Sequence, residues 1–268
     1  MKTILITGSG GLIGAEAVQH FSAKGYKIVG LDNDARRTFF GRDASIYSNV
    51  QRLISTCANY THISLDITHR GDVMWEVENT KPDVIIHCAA QPSHDRAAAI
   101  PFEDFDINAG GTINMLEAMR RYCPHATFIH MSTNKVYGDL AHFSSVLTEL
   151  ETRYDIVYDK DNLWDFSGGF GESCADVDQT THSLFGASKL AGDIIAQEYG
   201  RYFGLNVGVF RGGCLTGPLH KSIELHGFLS YIVKCAVENK EYNVFGYKGK
   251  QVRDQIHSYD VVTAFEEF

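Results

Sequence analysis

Along this chain, short uninterrupted apolar runs alternate with stretches of helical period. Residues 4–6 (ILI) are such a run, the mark of a parallel strand buried on both faces. A glycine-rich turn follows, and Leu12, Ile13, Ala17 and Phe21 then recur at the spacing of one helix face. The pattern repeats with strands at 27–31, 60–65, 83–90, 126–131 and 206–210. Between them lie a loop and helix within 36–60 and helical periods over 69–79, 104–122 and 183–203, the first interrupted at Pro82. The 104–122 helix carries Phe105, Ile107, Ile113, Leu116 and Met119 on its apolar side. A further helix is expected at 227–239, with short strands at 242–245 and 252–257. Residues 139–181 are irregular, acidic and aromatic, with Gly168-Gly169 inside; they are long for a plain loop and read as an insertion near the functional site. Strands alternating with helices predict an α/β fold, a doubly wound parallel sheet covered on both faces. Ligands of such a sheet bind beyond the C-terminal strand ends, where Gly8, Asp32, Asp66 and Ala89 fall.

The first turn changes this picture from fold to chemistry. TGSGGLIG at 7–14 sits between a strand and a helix, the setting in which a glycine turn binds a dinucleotide. Gly8 permits the tight turn, Gly11 lets the backbone approach a pyrophosphate, and Gly14 lets helix and strand pack closely. The helix N-terminus adds free N–H groups and partial positive charge. The spacing is GxxGxxG rather than GxGxxG. The second strand ends at Asp32, 24 residues after Gly8, where a carboxylate accepts from a ribose 2′-hydroxyl and repels a 2′-phosphate. NAD is therefore expected over NADP, with Arg36 and Arg37 the counter-argument, since arginine binds phosphate.

Composition bounds the rest. With 268 residues and 44% hydrophobic content, the chain can bury one large domain, or a domain with a smaller lobe. The net charge of −9 and the lack of a basic block argue against nucleic acid. The Met-Lys-Thr start shows no signal-peptide pattern, and no apolar stretch approaches the roughly 20 residues that span a bilayer. Six scattered cysteines without a CxxC read as reduced residues, so a cytoplasmic protein is expected. Twelve histidines form neither HxH nor HExxH, and no metal site is expected.

The motifs stand in one order: TGSGGLIG at 7–14, the acid at 32, HCAAQ at 87–91, Asn108, STNKVYG at 132–138, FGASK at 185–189, RGGCLTGP at 211–218 and QVRD at 251–254. This order resembles the extended short-chain dehydrogenase/reductase family, the NAD-dependent nucleotide-sugar epimerases and dehydratases, over essentially the whole chain. Within it, STNKVYGDL, the long insertion, HSLFGASK and GKQVRD are most similar to CDP-tyvelose (CDP-paratose) 2-epimerases. The resemblance implies a Rossmann domain over 1–210 and a small, partial C-terminal substrate lobe over 211–268, because relatives continue tens of residues further. It implies cofactor contacts from Gly8, Gly11, Leu12, Ile13, Gly14, Asp32 and Asn33. Asp66, at the adenine ring, Ile67, Ala89, Ala90, Gln91 and Lys189 complete that set. Thr133 corresponds to the hydroxyl that bonds the reacting sugar oxygen, and Lys189 to the lysine of YxxxK that binds the nicotinamide ribose. Thr133, Asn134, Cys214 and Arg253 are the implied substrate residues, Arg253 on the diphosphate. Asn108 corresponds to a helix asparagine that holds backbone or water. The implied partner is a CDP- or UDP-sugar, and the implied assembly a homodimer formed through helices 104–122 and 183–203.

Two positions depart from the family. Phe185 stands where the catalytic tyrosine is expected, and a phenyl ring neither takes nor gives a proton. Tyr137, Cys214, His94 and His182 are substitutes among which the sequence does not choose. Cys214 occupies a position that is often a substrate-binding asparagine. The expected reaction is epimerisation through a transient keto-sugar, at C2 of a CDP-sugar by subfamily. A dehydratase is an alternative, weakened because Asn134-Lys135 replaces the usual Asp-Glu pair. A catalytically impaired NAD- and nucleotide-sugar-binding protein is another.

Overall fold

A computed structural model describes residues 1–138, 147–156, 177, 181–224 and 226–268. The chain begins β1 (Thr3–Thr7), α1 (Leu12–Ala23), β2 (Lys27–Leu31), α2 (Ala35–Phe40), α3 (Tyr47–Thr56) and β3 (Tyr60–Ile63). It crosses back through α4 (Arg70–Thr80) to β4 (Val84–His87), then runs through α5 (His94–Ala99), α6 (Pro101–Phe105) and α7 (Gly111–Tyr122) to β5 (Thr127–Thr133). A hairpin, β6 (Leu147–Glu149) and β7 (Tyr154–Ile156), precedes α8 (Ser183–Phe203) and β8 (Asn206–Gly212). The last elements are β9 (Cys214–Thr216), α9 (Phe228–Glu238), β10 (Gln255–His257) and α10 (Ser258–Glu267).

Six strands make one all-parallel sheet in the order β3-β2-β1-β4-β5-β8. The direction of winding reverses between β1 and β4, and the crevice above that switch point is where such sheets bind ligands. Alternation along each strand supplies two cores. Ile4, Ile6, Ile28, Ile86 and Ile129 face one layer with Ala17, Val18 and Phe21 of α1 and Val261, Val262 and Phe265 of α10. Leu5, Val29, Ile85 and Phe128 face the other with Val73 and Val77 of α4 and Met115, Leu116 and Met119 of α7. Leu5, Ile6, Ile85 and Ile86 are fully buried, which is why the strands read as continuous apolar runs.

The predicted strands and long helices are found within a few residues of their expected limits. Three features differ. α5 has six residues, too few to show a period. The helix expected at 104–122 begins at Pro101 and passes through one wider turn of π-helix geometry, Asp106–Gly110. Residues 242–245, expected as a strand, pair with no other strand among the described residues, and Val244 and Phe245 are exposed. Within the expected insertion, residues 147–156 form the β6–β7 hairpin. Tyr154 N donates to the Lys250 carbonyl at 3.0 Å, and Lys248 and Lys250 pair with Glu149 at 2.7 and 2.9 Å. Gly168-Gly169 lies outside the described residues.

Candidate functional site

A cleft of about 1150 Å³ runs over the C-terminal strand ends, from the glycine turn to the segment before β10. Its floor is the turn between β1 and α1. Gly8 has φ +65° and a Cβ there would sit 2.8 Å from the Ala89 nitrogen; at Gly14 it would sit 2.1 Å from the Gly8 carbonyl oxygen. Gly11 immediately precedes α1 and no side chain caps that helix, so its first N–H groups are left for a ligand. Asp32 closes one side. Its carboxylate accepts from Gly10 N at 3.0 Å and Asp34 N at 2.9 Å; burial pushes its pKa up, and those two bonds oppose the rise. Asn33 donates to Asp66 at 3.0 Å, and Asp66 also accepts from Thr68 N and Oγ1. Arg36 donates instead to the Lys221 carbonyl at 2.8 Å, with its guanidinium over the Phe40 ring.

At the other end lie the ends of β5 and the start of α8. Lys189 is buried, 4% exposed, and donates to the Met131 carbonyl at 2.8 Å. Burial lowers its pKa to about 8, against the attraction of Cys88, Asp193 and Asp104. Thr133 Oγ1 accepts from Lys135 N at 3.3 Å, and Asn134 opens the following turn. Phe185, one helical turn before Lys189, lies against the His94 ring with centroids 4.9 Å apart. Cys214 and Arg253 line the facing wall; Arg253 donates to Gln251 Oε1 at 3.0 and 2.6 Å. Burial pushes the Cys214 thiol up.

Of the expected site residues, the cleft brings together Gly8, Gly11, Leu12, Ile13, Gly14, Asp32, Asn33, Asp66, Ile67, Ala89 and Ala90. Thr133, Asn134, Phe185, Lys189, Cys214 and Arg253 join them. Gln91 stands apart: it is fully buried, off the cleft wall, and donates to the Ser93 carbonyl and Asp104 at 2.8 and 2.7 Å. Asn108, within the wide helical turn, accepts from Gln91 N at 2.9 Å and donates to its carbonyl at 3.1 Å.

The sequence reading missed the support beneath Thr133. Ser132 donates to Asp193 at 2.5 Å, and Arg211 grips the same carboxylate at 3.0 and 2.9 Å while donating to the Tyr137 hydroxyl at 2.9 Å. This cluster fixes β5, β8 and α8 to one another. The available signal was an aspartate one turn beyond Lys189 on the same helix.

The cradle fits a dinucleotide: a Cβ at Gly8 or Gly14 would meet backbone, an uncapped helix points at it, and a carboxylate stands at the end of β2. Comparison with known proteins agrees. The profile of the NAD dependent epimerase/dehydratase family matches residues 4–266. A CDP-paratose 2-epimerase of Salmonella typhi is 34% identical over 267 residues, covering 98% of this chain and 73% of its own length. A dTDP-glucose 4,6-dehydratase of Salmonella typhimurium is 27% identical, covering 96% of this chain and 65% of its own. The chain thus spans about two thirds to three quarters of the length of these relatives. Among solved structures, a Bacillus anthracis dTDP-glucose 4,6-dehydratase in complex with NAD superposes with a TM-score of 0.70 at 25% identity, over 99% of this chain and 71% of that one. A Thermus thermophilus UDP-glucose 4-epimerase shares the fold with a TM-score of 0.74 at 22% identity, over 99% and 73%. Among the described residues, no helix is long and apolar enough to cross a membrane.

Proposed function

This chain belongs to the NAD dependent epimerase/dehydratase family, and on that premise we propose that it is a nucleotide-sugar epimerase acting through a transient keto-sugar, at C2 of a CDP-sugar. The observation that carries the reading is the cleft itself, which sets the glycine cradle and Asp32 at one end and Thr133, Lys189 and Arg253 around the other. NAD, when bound, accepts a hydride and returns it. The chain's own residues do the rest. The turn and the N-terminus of α1 hold the pyrophosphate, and Asp32 accepts from the adenosine ribose. Lys189 binds the nicotinamide ribose and places a positive charge beside the reacting oxygen. Thr133 hydrogen-bonds the sugar hydroxyl, and the Arg253 fork takes the substrate diphosphate. Residues 211–268 contribute the substrate lobe to the 1–210 Rossmann domain, although α10 packs into the core beside α1. We further propose a cytoplasmic homodimer. Exposed Phe102 and Phe105 of α6, with Leu184, Ile194 and Phe203 of α8, support an interface on those helices. A non-catalytic binding protein is the second reading, and Phe185 favours it.

The test begins with purified protein, denatured and chromatographed for NAD, then offered CDP- and UDP-sugars. Arg253→Ala is expected to weaken nucleotide-sugar binding by about 1.5–3 kcal/mol while leaving NAD affinity unchanged, measured by calorimetry. NADP in place of NAD, or sugar-nucleotide affinity indifferent to Arg253, would sink the assignment. Binding without turnover of any sugar would favour the second reading.

A further inference from the structure

The cleft keeps the lysine that activates a phenol but carries Phe185 where the phenol would be. Of the four titratable side chains considered as substitutes, Tyr137 and His182 are not on the cleft wall. The Tyr137 hydroxyl is engaged by Arg211 at 2.9 Å, with the guanidinium over its ring. Cys214 is on the wall, but burial raises its thiol further above neutrality. His94 is on the wall, at the start of α5, with its ring against Phe185.

His94 is also held. Its Nδ1 lies 3.0 Å from Ser183 Oγ, which accepts from Gly186 N at 3.1 Å. Ser183 has φ +61°, a left-handed backbone that a residue with a Cβ rarely adopts, and this places its hydroxyl at the junction of α5 and α8. The groups around the ring include Lys135 after β5, Asp95 on α5, Asp104 in α6, Arg253 before β10 and His226 across the cleft. His94 is exposed where it lines the cleft, and its partial desolvation there, the largest influence, lowers its pKa from the ordinary value, with Lys135 adding to that effect.

We propose that His94 is the proton acceptor and donor of this cleft in place of the missing phenol, with Ser183 as its positioning residue. The inference rests on the epimerase reading above. In it, His94 donates Nδ1–H to Ser183 Oγ and keeps a bare Nε2; the bond at one ring nitrogen sets the state of the other. In the forward step the sugar O–H bond breaks and its proton goes to Nε2. The O–H electron pair becomes the second C–O bond, as the hydrogen on the adjoining carbon leaves with its electron pair for oxidised nicotinamide. The return step reverses each transfer on the other face, so electrons and protons balance with no further reactant.

The experiment uses the full chain with bound NAD and histidines labelled with ¹⁵N, with His94→Gln to assign the ring. The expected spectrum shows a protonated Nδ1 and a bare Nε2 for His94, and the Nε2 signal moves when CDP-glucose or UDP-glucose is added. In turnover of whichever panel sugar reacts, His94→Gln should slow the reaction at least about 100-fold, the lower end of what general acid–base help supplies. NAD affinity should stay within about threefold, a small fraction of that expected rate loss. Adding Phe185→Tyr to His94→Gln should restore at least about tenfold, because a phenol supplies the same proton transfer. The reverse tautomer, a stationary Nε2 signal, or His94→Gln turnover within about threefold of the parent, far short of that expected loss, would each overturn the inference. If the parent binds NAD and sugar nucleotide and one of these results follows, only His94's role fails; if it binds neither, the epimerase reading fails with it.

Discussion

Gly14 and Gly25 need the absence of a Cβ for different physical reasons. At Gly14 the added atom would press on the Gly8 carbonyl, a backbone atom that already accepts the Gly11 N–H at 3.0 Å. Relief must come from moving α1 off β1, so Gly14→Ala should cost about 1–3 kcal/mol of stability. It should also weaken NAD at least about tenfold, the loss of roughly one charge-assisted bond. At Gly25, φ is +84° and a Cβ would meet nothing within 4 Å. Gly25→Ala should therefore cost about 1–2 kcal/mol through backbone strain alone and leave NAD affinity intact. Urea unfolding and NAD calorimetry on both variants separate the two effects; equal NAD affinity in both would contradict the cradle. Gly8, Gly14 and Asp32 were legible in the sequence because their physics is local to one strand, one turn and one helix. Asp193 and Arg211 were not. Their bond joins a helix to the strand after it and becomes visible only when Ser132, 61 residues earlier, is beside them.

At the scale of elements, apolar runs were enough to locate the six strands of the main sheet, and long helical periods enough to locate α7 and α8, whereas the three-residue strands β6, β7 and β9 were too short to show a pattern. Where the reading fell short, the missing fact was a partner. Residues 242–245 have strand composition but no neighbouring strand to complete their hydrogen bonds among the described residues. The wide turn at Asp106–Gly110 takes in an extra residue and shifts the phase of its helix, so Phe105, expected on the apolar side with Leu116 and Met119, is exposed while those two are buried. Its use is tertiary. Asn108 projects from it to satisfy both backbone groups of buried Gln91, 17 residues away, and to donate to Ser188 at 3.0 Å, 80 residues away. Asn108→Ala would strand two buried backbone groups, each worth about 1–3 kcal/mol when left unsatisfied. Urea unfolding should show a loss of about 2–4 kcal/mol, near the sum of two such groups. A loss below about 0.5 kcal/mol, the size of an ordinary surface substitution, would mean that water replaces the side chain.

The molecule as a whole buries neutral histidines. His87 on β4 and His130 on β5 are paired in register, each 1% exposed, with rings stacked 5.5 Å apart. His87 bonds Thr7 and Thr112 at 2.7 and 3.1 Å, and burial holds its pKa at about 3. Burial also holds His130 well below its ordinary value, and brings His220 and His226 on the cleft wall to about 4 and about 3. In the unfolded chain these groups titrate near 6.5. Between that pH and the folded values, the unfolded state binds more protons, so stability is full above about 6.5 and is lost as pH falls. Each group contributes at most about 1.4 kcal/mol per pH unit in that window. Asp193 adds to the loss at lower pH, because Arg211 and Ser132 hold its carboxyl below the ordinary range against the opposing effect of burial. Urea unfolding from about pH 6.5 down to 4.5 should therefore show a steep fall with an uptake of several protons. His87→Asn should remove about one proton from that slope. Stability that is flat across this range, or a slope unchanged in His87→Asn, would show that the buried pair does not govern the acid limit of the fold.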